Sequence, residues 1–170
     1  MKKFATVAVL AMSVSAGLQA ADAGSGRVTF TGSIIDAACS VNPESSNQEV
    51  NLGQIALHQL EGKGTSTPRN FEIALENCSV DTQSSVSVTF AGAKVAKDLL
   101  GITGTAAGAG IAITDGTGER LELGKPSAAR ELVAGNNTMI FSAYLEGLGD
   151  DDKLKTGDFY AVADFTLAYE

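Results

Sequence analysis

The chain has no tryptophan, one histidine, two cysteines and three prolines in 170 residues. Each scarcity removes a class of explanation. Without tryptophan, and with only seven phenylalanines, a core must be filled mainly by Val, Ile and Leu, so it is modest in size. With one histidine, His58 in Ala56-Leu57-His58-Gln59, there is no histidine cluster for a metal or a charge relay, and His58 reads as a loop or surface residue. No Gly-x-Ser-x-Gly is present, and the glycines of 101–110 lack the Lys-Ser/Thr that a phosphate-cradling loop needs. The acidic run Asp150-Asp151-Asp152 does not space its oxygens at alternate residues as a calcium loop does, and reads as a solvated hairpin tip. Asn136-Asn137-Thr138 and Asn77-Cys78-Ser79 fit the glycosylation pattern by chance. The residues therefore predict no enzyme, no cofactor and no metal.

Basic charge is also scarce: 12 Lys and Arg against 20 Asp and Glu. Two of those lysines, Lys2 and Lys3, lie in the first twenty residues, which carry no acid. The remainder has ten basic and twenty acidic side chains, a net charge of −10 with His58 neutral. Such a surface repels nucleic acid and anionic lipid. The one long apolar run is near the start, from Phe4 to Val14, and it ends in the small-residue stretch Ser15-Ala16-Gly17-Leu18-Gln19-Ala20. A basic start, a short apolar run and small residues form a secretory signal, with cleavage expected after Ala20 or, as a minor alternative, after Ala23. The run is too short to span a bilayer, and no later segment is apolar enough to do so.

The two cysteines, Cys39 and Cys78, are an even count in an exported chain and predict one disulfide. Two free thiols or a two-cysteine metal site are the alternatives; the lone histidine and the absence of Cys-x-x-Cys weigh against the metal.

What remains reads as almost entirely β. Val28–Val41 is one long strand-like stretch, and Glu49–Leu52 is a short strand candidate. Asn70–Cys78, Ser85–Phe90, Ile111–Thr114, Glu119–Leu123, Asn137–Leu145 and Asp158–Tyr169 follow. Turn signals separate them, among them Asn42-Pro43, Asp115-Gly116 and Gly135-Asn136-Asn137. Ala56–Pro68 reads as a polar connection. Ala93–Leu100 is compatible with a helical turn that runs into an exposed Gly/Ala/Thr-rich loop ending at Gly110. Seven or eight short strands in about 150 residues predict a single immunoglobulin-like sandwich.

Two of these runs stand out. From Asp158 to the end, apolar side chains occupy 159, 161, 163, 165, 167 and 169. Near the start, Val28, Phe30, Gly32 and Ile34 alternate with Arg27, Thr29, Thr31 and Ser33. Period 2 over these lengths marks strands with one buried face. An unpaired strand as apolar as Phe159–Tyr169 is an aggregation hazard, so both runs need partners.

The chain resembles pilin subunits of the chaperone-usher pathway of Gram-negative bacteria, most of all the major subunits of P-type and MR/P-type fimbriae. The likeness covers essentially the whole chain after the signal. It is carried by the stretch from Gly26 to Val41 including Cys39, by Val50-Asn51-Leu52-Gly53-Gln54-Ile55, by Phe71–Cys78, and by Gly157 and Tyr169 near the end. The resemblance implies an all-β, immunoglobulin-like sandwich lacking its final strand, completed by a strand donated by a neighbouring subunit or a periplasmic chaperone. It implies a signal at 1–20, a donor extension at 21–35 and the incomplete domain at 36–170. The donor's inward positions would be Gly26, Val28, Phe30, Gly32 and Ile34, with Gly32 at a pocket too shallow for a side chain and Ile34 at the last pocket. The acceptor groove and chaperone-facing strand would comprise Gly157, Phe159, Ala161, Ala163, Phe165, Leu167 and Tyr169.

The partners so implied are identical or related pilins, a periplasmic chaperone and an outer-membrane usher, with export through the periplasm to a surface fimbria that supports adhesion. Competing readings are a minor adaptor pilin, a terminator, and a tip adhesin or lectin-like sandwich. A filled last position at Ile34 argues against a terminator, and the chain has no room for an adhesin's additional binding domain.

Overall fold

A computed structural model describes residues 25–96, 98–150 and 153–170; the expected signal segment and Ala21–Ala23 lie outside these. The chain divides into two units, residues 1–34 and 35–170. In the first unit, residues 25–34 form no helix or strand and are exposed along their whole length.

The second unit is a two-layer β-structure. In chain order its strands are β1 (Ser40–Val41), β2 (Arg69–Cys78), β3 (Ser85–Ala91), β4 (Lys94–Val95), β5 (Leu99–Gly101), β6 (Thr103–Gly104), β7 (Ala109–Asp115), β8 (Arg130–Glu131), β9 (Gly135–Gly147), β10 (Phe159–Tyr160) and β11 (Asp164–Tyr169). One sheet runs β1-β2-β9-β7-β5-β4, another β11-β3-β8, and β10 pairs with β6. Every ladder among the described residues is antiparallel, as in β2 with β9, where Phe71 faces Phe141 and Ile73 faces Met139.

Alternation sets the core. Ile73 and Leu75 of β2, Met139 and Phe141 of β9, and Val86, Val88 and Phe90 of β3 are buried between the layers. Phe90 meets Phe141 edge-on at 5.1 Å between ring centres, and Phe71 stacks on Phe141 at 5.6 Å. These are favourable aromatic geometries that do part of the work a tryptophan would do.

The disulfide forms between Cys39 and Cys78, with Cα atoms 4.2 Å apart. It sits just before β1 and at the end of β2, where the β2–β9 register shifts and Asn77 takes a positive φ of 53°. Asparagine tolerates that conformation better than most residues. A bridge spanning 39 positions stabilises by about 4 kcal/mol on a chain-entropy account. Cys39→Ser is therefore expected to lower the yield of folded, exported protein severalfold. Unchanged yield, with an unchanged melting temperature, would show that the bridge is dispensable.

Four local expectations are corrected. Val28–Val41 is not one strand: only Ser40 and Val41 pair, with Glu76 and Leu75. Alternation reports which face a segment can bury, not whether a partner lies beside it. Glu49–Leu52 is likewise no strand, although Leu52 is buried; Gly53, at φ 76°, turns the chain and donates its N–H to the Asn51 side chain. Glu119–Leu123 makes one bridge, Arg120 to Thr114, and packs Leu121 and Leu123 inward as the return of a hairpin whose tip Asp115 caps. The Asp115 carboxylate accepts from the Thr117 hydroxyl and from two backbone N–H groups, which holds its pKa below the usual value. Around Ala93–Leu100 the described residues form a β4–β5 hairpin rather than the expected helical turn, because Leu99 and Leu100 gain more by burial than from local helix propensity.

The polar connection at 56–68 holds two 3₁₀ turns, Leu57–Gln59 and Glu61–Lys63, and exposed His58 lies on the first. Leu60 is buried there. A side chain at Gly147 would overlap the Leu60 carbonyl, so β9 ends at a residue that must be glycine. Asp150 forms an ion pair with Lys153; Asp151 and Asp152 lie outside the described residues.

Candidate functional site

The C-terminal run is where the sandwich is incomplete. Its inward and outward sides separate cleanly: from 159 to 170 every odd-numbered residue is half-buried and every even-numbered one exposed. β11 pairs with β3 through Phe165–Phe90, Leu167–Val88 and Tyr169–Val86, and among the described residues has no strand on its other side. Among the described residues β10 pairs only with β6. Between them Ala161, Val162 and Ala163 belong to no strand. The predicted single strand is thus two short ones with a break.

A groove follows this open edge. Two cavities of about 590 and 880 Å³ share Gln48, Val50, Leu52, Ile111, Ala161 and Val162, and so form one trough. One lip is the C-terminal segment, from Gly157 to Phe165. The other is residues 48–55, which contain no strand. Leu100, Ile111, Ile113, Ala143 and Leu145 make the floor, and all five are buried. Ala161 and Ala163, whose side chains stop at Cβ, line the groove. At one end the Phe165 ring approaches Phe90 at 6.4 Å. Residues 48–55 and 161–163 belong to no ladder, and they flank an apolar floor. Such an arrangement binds extended chain: backbone hydrogen bonds give affinity and alternate side chains give specificity.

Gly157 contributes by backbone alone. Its φ of 152° and a hypothetical Cβ only 2.4 Å from Thr105 Oγ1 and 2.7 Å from the Ala106 nitrogen leave space for no side chain. The neighbouring Asp158 ties down the 105–106 loop: its N–H donates to Thr105 Oγ1 at 3.0 Å, and its carbonyl accepts from the N–H groups of Thr105 and Ala106. At the far end, burial pushes the Tyr169 phenol above its ordinary pKa, and its hydroxyl has no hydrogen-bond partner among the described residues. Leu167 and Tyr169 pack on the core but lie beyond the trough itself.

The structure thus brings together Gly157, Phe159, Ala161, Ala163 and Phe165 along one groove. Gly26, Val28, Phe30, Gly32 and Ile34 lie in the other unit; Val28 is 76%, Phe30 90% and Ile34 104% exposed. The second lip and the floor are the part that inspection of the sequence misses. Val50 and Leu52, and Ile111 and Ile113, show the alternation, but alternation alone does not distinguish a residue covered by its own sandwich from one left beneath an open groove.

An antiparallel sandwich with an open, strand-shaped groove along its last strand is the immunoglobulin-like fold without its final strand. Comparison with known proteins bears on which such protein it is. The family model described as "Fimbrial protein" matches residues 28–170. The chain is 51% identical to the Fimbria A protein of Serratia marcescens, covering 100% of this chain and 99% of that one. It is 46% identical to the Major MR/P fimbria protein of Proteus mirabilis, with the same coverage. Among solved structures, the P pilus rod subunit PapA superposes with a TM-score of 0.71 at 27% identity, over 79% of this chain and 100% of that one. A chain from a chaperone-usher pilus superposes with a TM-score of 0.78 at 29% identity, over 87% and 97%. The chain belongs to the fimbrial protein family and is a structural subunit of a fimbria.

Proposed function

We propose that this subunit builds a fimbrial shaft by donor-strand exchange. The leading segment of one copy, residues 21–35, fills the groove of the next, with Gly26, Val28, Phe30, Gly32 and Ile34 facing its floor. A periplasmic chaperone occupies the same groove before assembly, and an outer-membrane usher is where the exchange takes place. The observation that carries this reading is the match between an apolar groove, flanked at 48–55 and 161–163 by backbone outside any ladder, and a segment whose alternate large side chains are exposed. Burying Val28, Phe30 and Ile34 would stabilise the joint by about 1.5–3 kcal/mol each, with main-chain pairing in addition. Because the donated strand completes a core, opening the joint resembles unfolding and is correspondingly slow.

A photo-crosslinking residue at position 30, in fimbriae assembled by cells, tests the proposal. The expected product joins two chains, with the adduct mapping to the groove floor or to the 159–169 strand. Adducts confined to the donor's own chain, or to a surface away from the groove, would overturn it.

A further inference from the structure

A strand seated in the groove has a second side, which faces water. Of the exposed, even-numbered residues from 158 to 170, only Tyr160 and Val162 are large and apolar, at 67% and 68% exposure. The leading segment has the same character. Its outward positions are Arg27, Thr29, Thr31 and Ser33, followed by Ile35 at 62% exposure. Each otherwise polar face therefore ends in exposed apolar side chains, Tyr160 and Val162 at the start of one strand and Ile35 at the end of the other.

Strand geometry relates the two ends. The five inward positions from Gly26 to Ile34 span the same length as the five from Ala161 to Tyr169, since both step by two residues. If these rows face each other antiparallel, Ile34 comes opposite Ala161 and Ile35 opposite Tyr160, with Val162 diagonal to it. A slip of two residues puts Ile35 opposite Val162 instead. A parallel strand would carry Ile35 to the polar Thr166–Glu170 end and leave all three apolar side chains in water. Directly opposed side chains on one face of an antiparallel pair lie within contact distance.

We propose that Ile35 of one copy packs on Tyr160 and Val162 of the next, closing the solvent side of the joint and favouring the antiparallel direction. This contact rests on the donor-strand reading above and adds an outward row to the inward one. It places a determinant of neighbour choice outside the groove, because a subunit with a charge at either position would join poorly even when its inward residues fit.

The test uses the full chain, assembled in cells, and reads the temperature at which SDS-resistant ladders collapse to monomer. Ile35→Asp, Tyr160→Lys and Val162→Lys change only exposed side chains, so each subunit should still fold. Ile35→Asp is expected to lower the collapse temperature by several degrees. Pairing it with Tyr160→Lys or with Val162→Lys should restore the loss, and whichever partner restores it reads the register. Phe30→Asp, which attacks the inward row, is the control. If Phe30→Asp abolishes ladders while Ile35→Asp has no effect, or neither lysine rescues it, the outward contact is wrong and the groove reading stands. If Phe30→Asp assembles normally, both fall together.

Discussion

Deleting residues 21–35 is expected to leave a subunit that folds, exports and still binds a chaperone, yet cannot be added to a fibre as a donor. The groove and its core lie entirely in residues 35–170, and the deletion leaves the groove's residues in place. The Cys39–Cys78 bridge also survives. What is lost is the burial of Val28, Phe30 and Ile34 in a neighbour. At 1.5–3 kcal/mol each, that loss is about 4.5–9 kcal/mol before any backbone pairing is counted. A tenfold change in an equilibrium constant corresponds to about 1.4 kcal/mol, so the joint should weaken by three to six powers of ten. Unboiled samples of the truncated protein should show monomer and chaperone-bound monomer, and no ladder. A ladder of normal length would mean that another segment supplies the missing strand.

Replacing Gly32 by leucine should stop assembly while leaving the isolated subunit unharmed. A Cβ at Gly32 has nothing within 4 Å, so the subunit has no internal reason to keep glycine there. The contrast with Gly147 and Gly157 is direct, since a Cβ at either would overlap backbone of its own chain. If a glycine is needed at 32, the need arises in the groove of the neighbour, where a shallow site excludes a side chain. Overpacking a close-fitting site costs about 1–3 kcal/mol for a modest excess, and a whole leucine side chain is more than modest. Electron microscopy of cells carrying Gly32→Leu should show bald or sparsely fimbriate surfaces, with Gly32→Ala intermediate between it and the parent. Fimbriae of normal number and length would mean that Gly32 does not face the floor, and the inward register would have to shift by one residue.

Both results bear on the physical basis of polymerisation. The groove has an apolar floor flanked at 48–55 and 161–163 by backbone outside any ladder, which in water is an unstable surface. Under the donor-strand proposal its hazard and its use are the same property: the edge that would aggregate is the edge that a neighbour would complete. The exposed ion pairs of Lys125 with Glu122 and of Lys153 with Asp150 add little to stability, as screened surface pairs do. Arg120 is better placed. It pairs with the largely buried Glu146, donates to the Tyr144 hydroxyl and lies over the Tyr144 ring, tying the 115–121 hairpin to β9.

How much of this is legible without coordinates differs from element to element. β2, β3, β7 and β9 are readable because each carries enough alternating Val, Ile, Leu or Phe to specify a face and pairs along its length. The C-terminal run is readable for its face but not for its break, because nothing in Ala161-Val162-Ala163 distinguishes a paired residue from an unpaired one. Residues 48–55 mislead for the same reason: Val50 and Leu52 show the pattern of a strand, yet no strand forms beside them. At Leu99 and Leu100 local composition allows a helical turn, and burial against β7 decides for a hairpin.

The sequence by itself determines the alternation of side chains at 26–34 and 159–169, the expectation of one bridge between its two cysteines, and the excess of acidic over basic charge. These follow from covalent order and from the two-residue repeat of extended chain, which are properties of neighbours along the backbone. Only the tertiary structure decides that the last strand is an edge, that residues 48–55 form the opposite lip, that Leu100, Ile111 and Ala143 are a floor without a cover, and that Gly157 is held by backbone on backbone. Those depend on which distant segments come to lie side by side, and a hydrogen bond or a void between residues a hundred positions apart leaves no mark on either stretch alone.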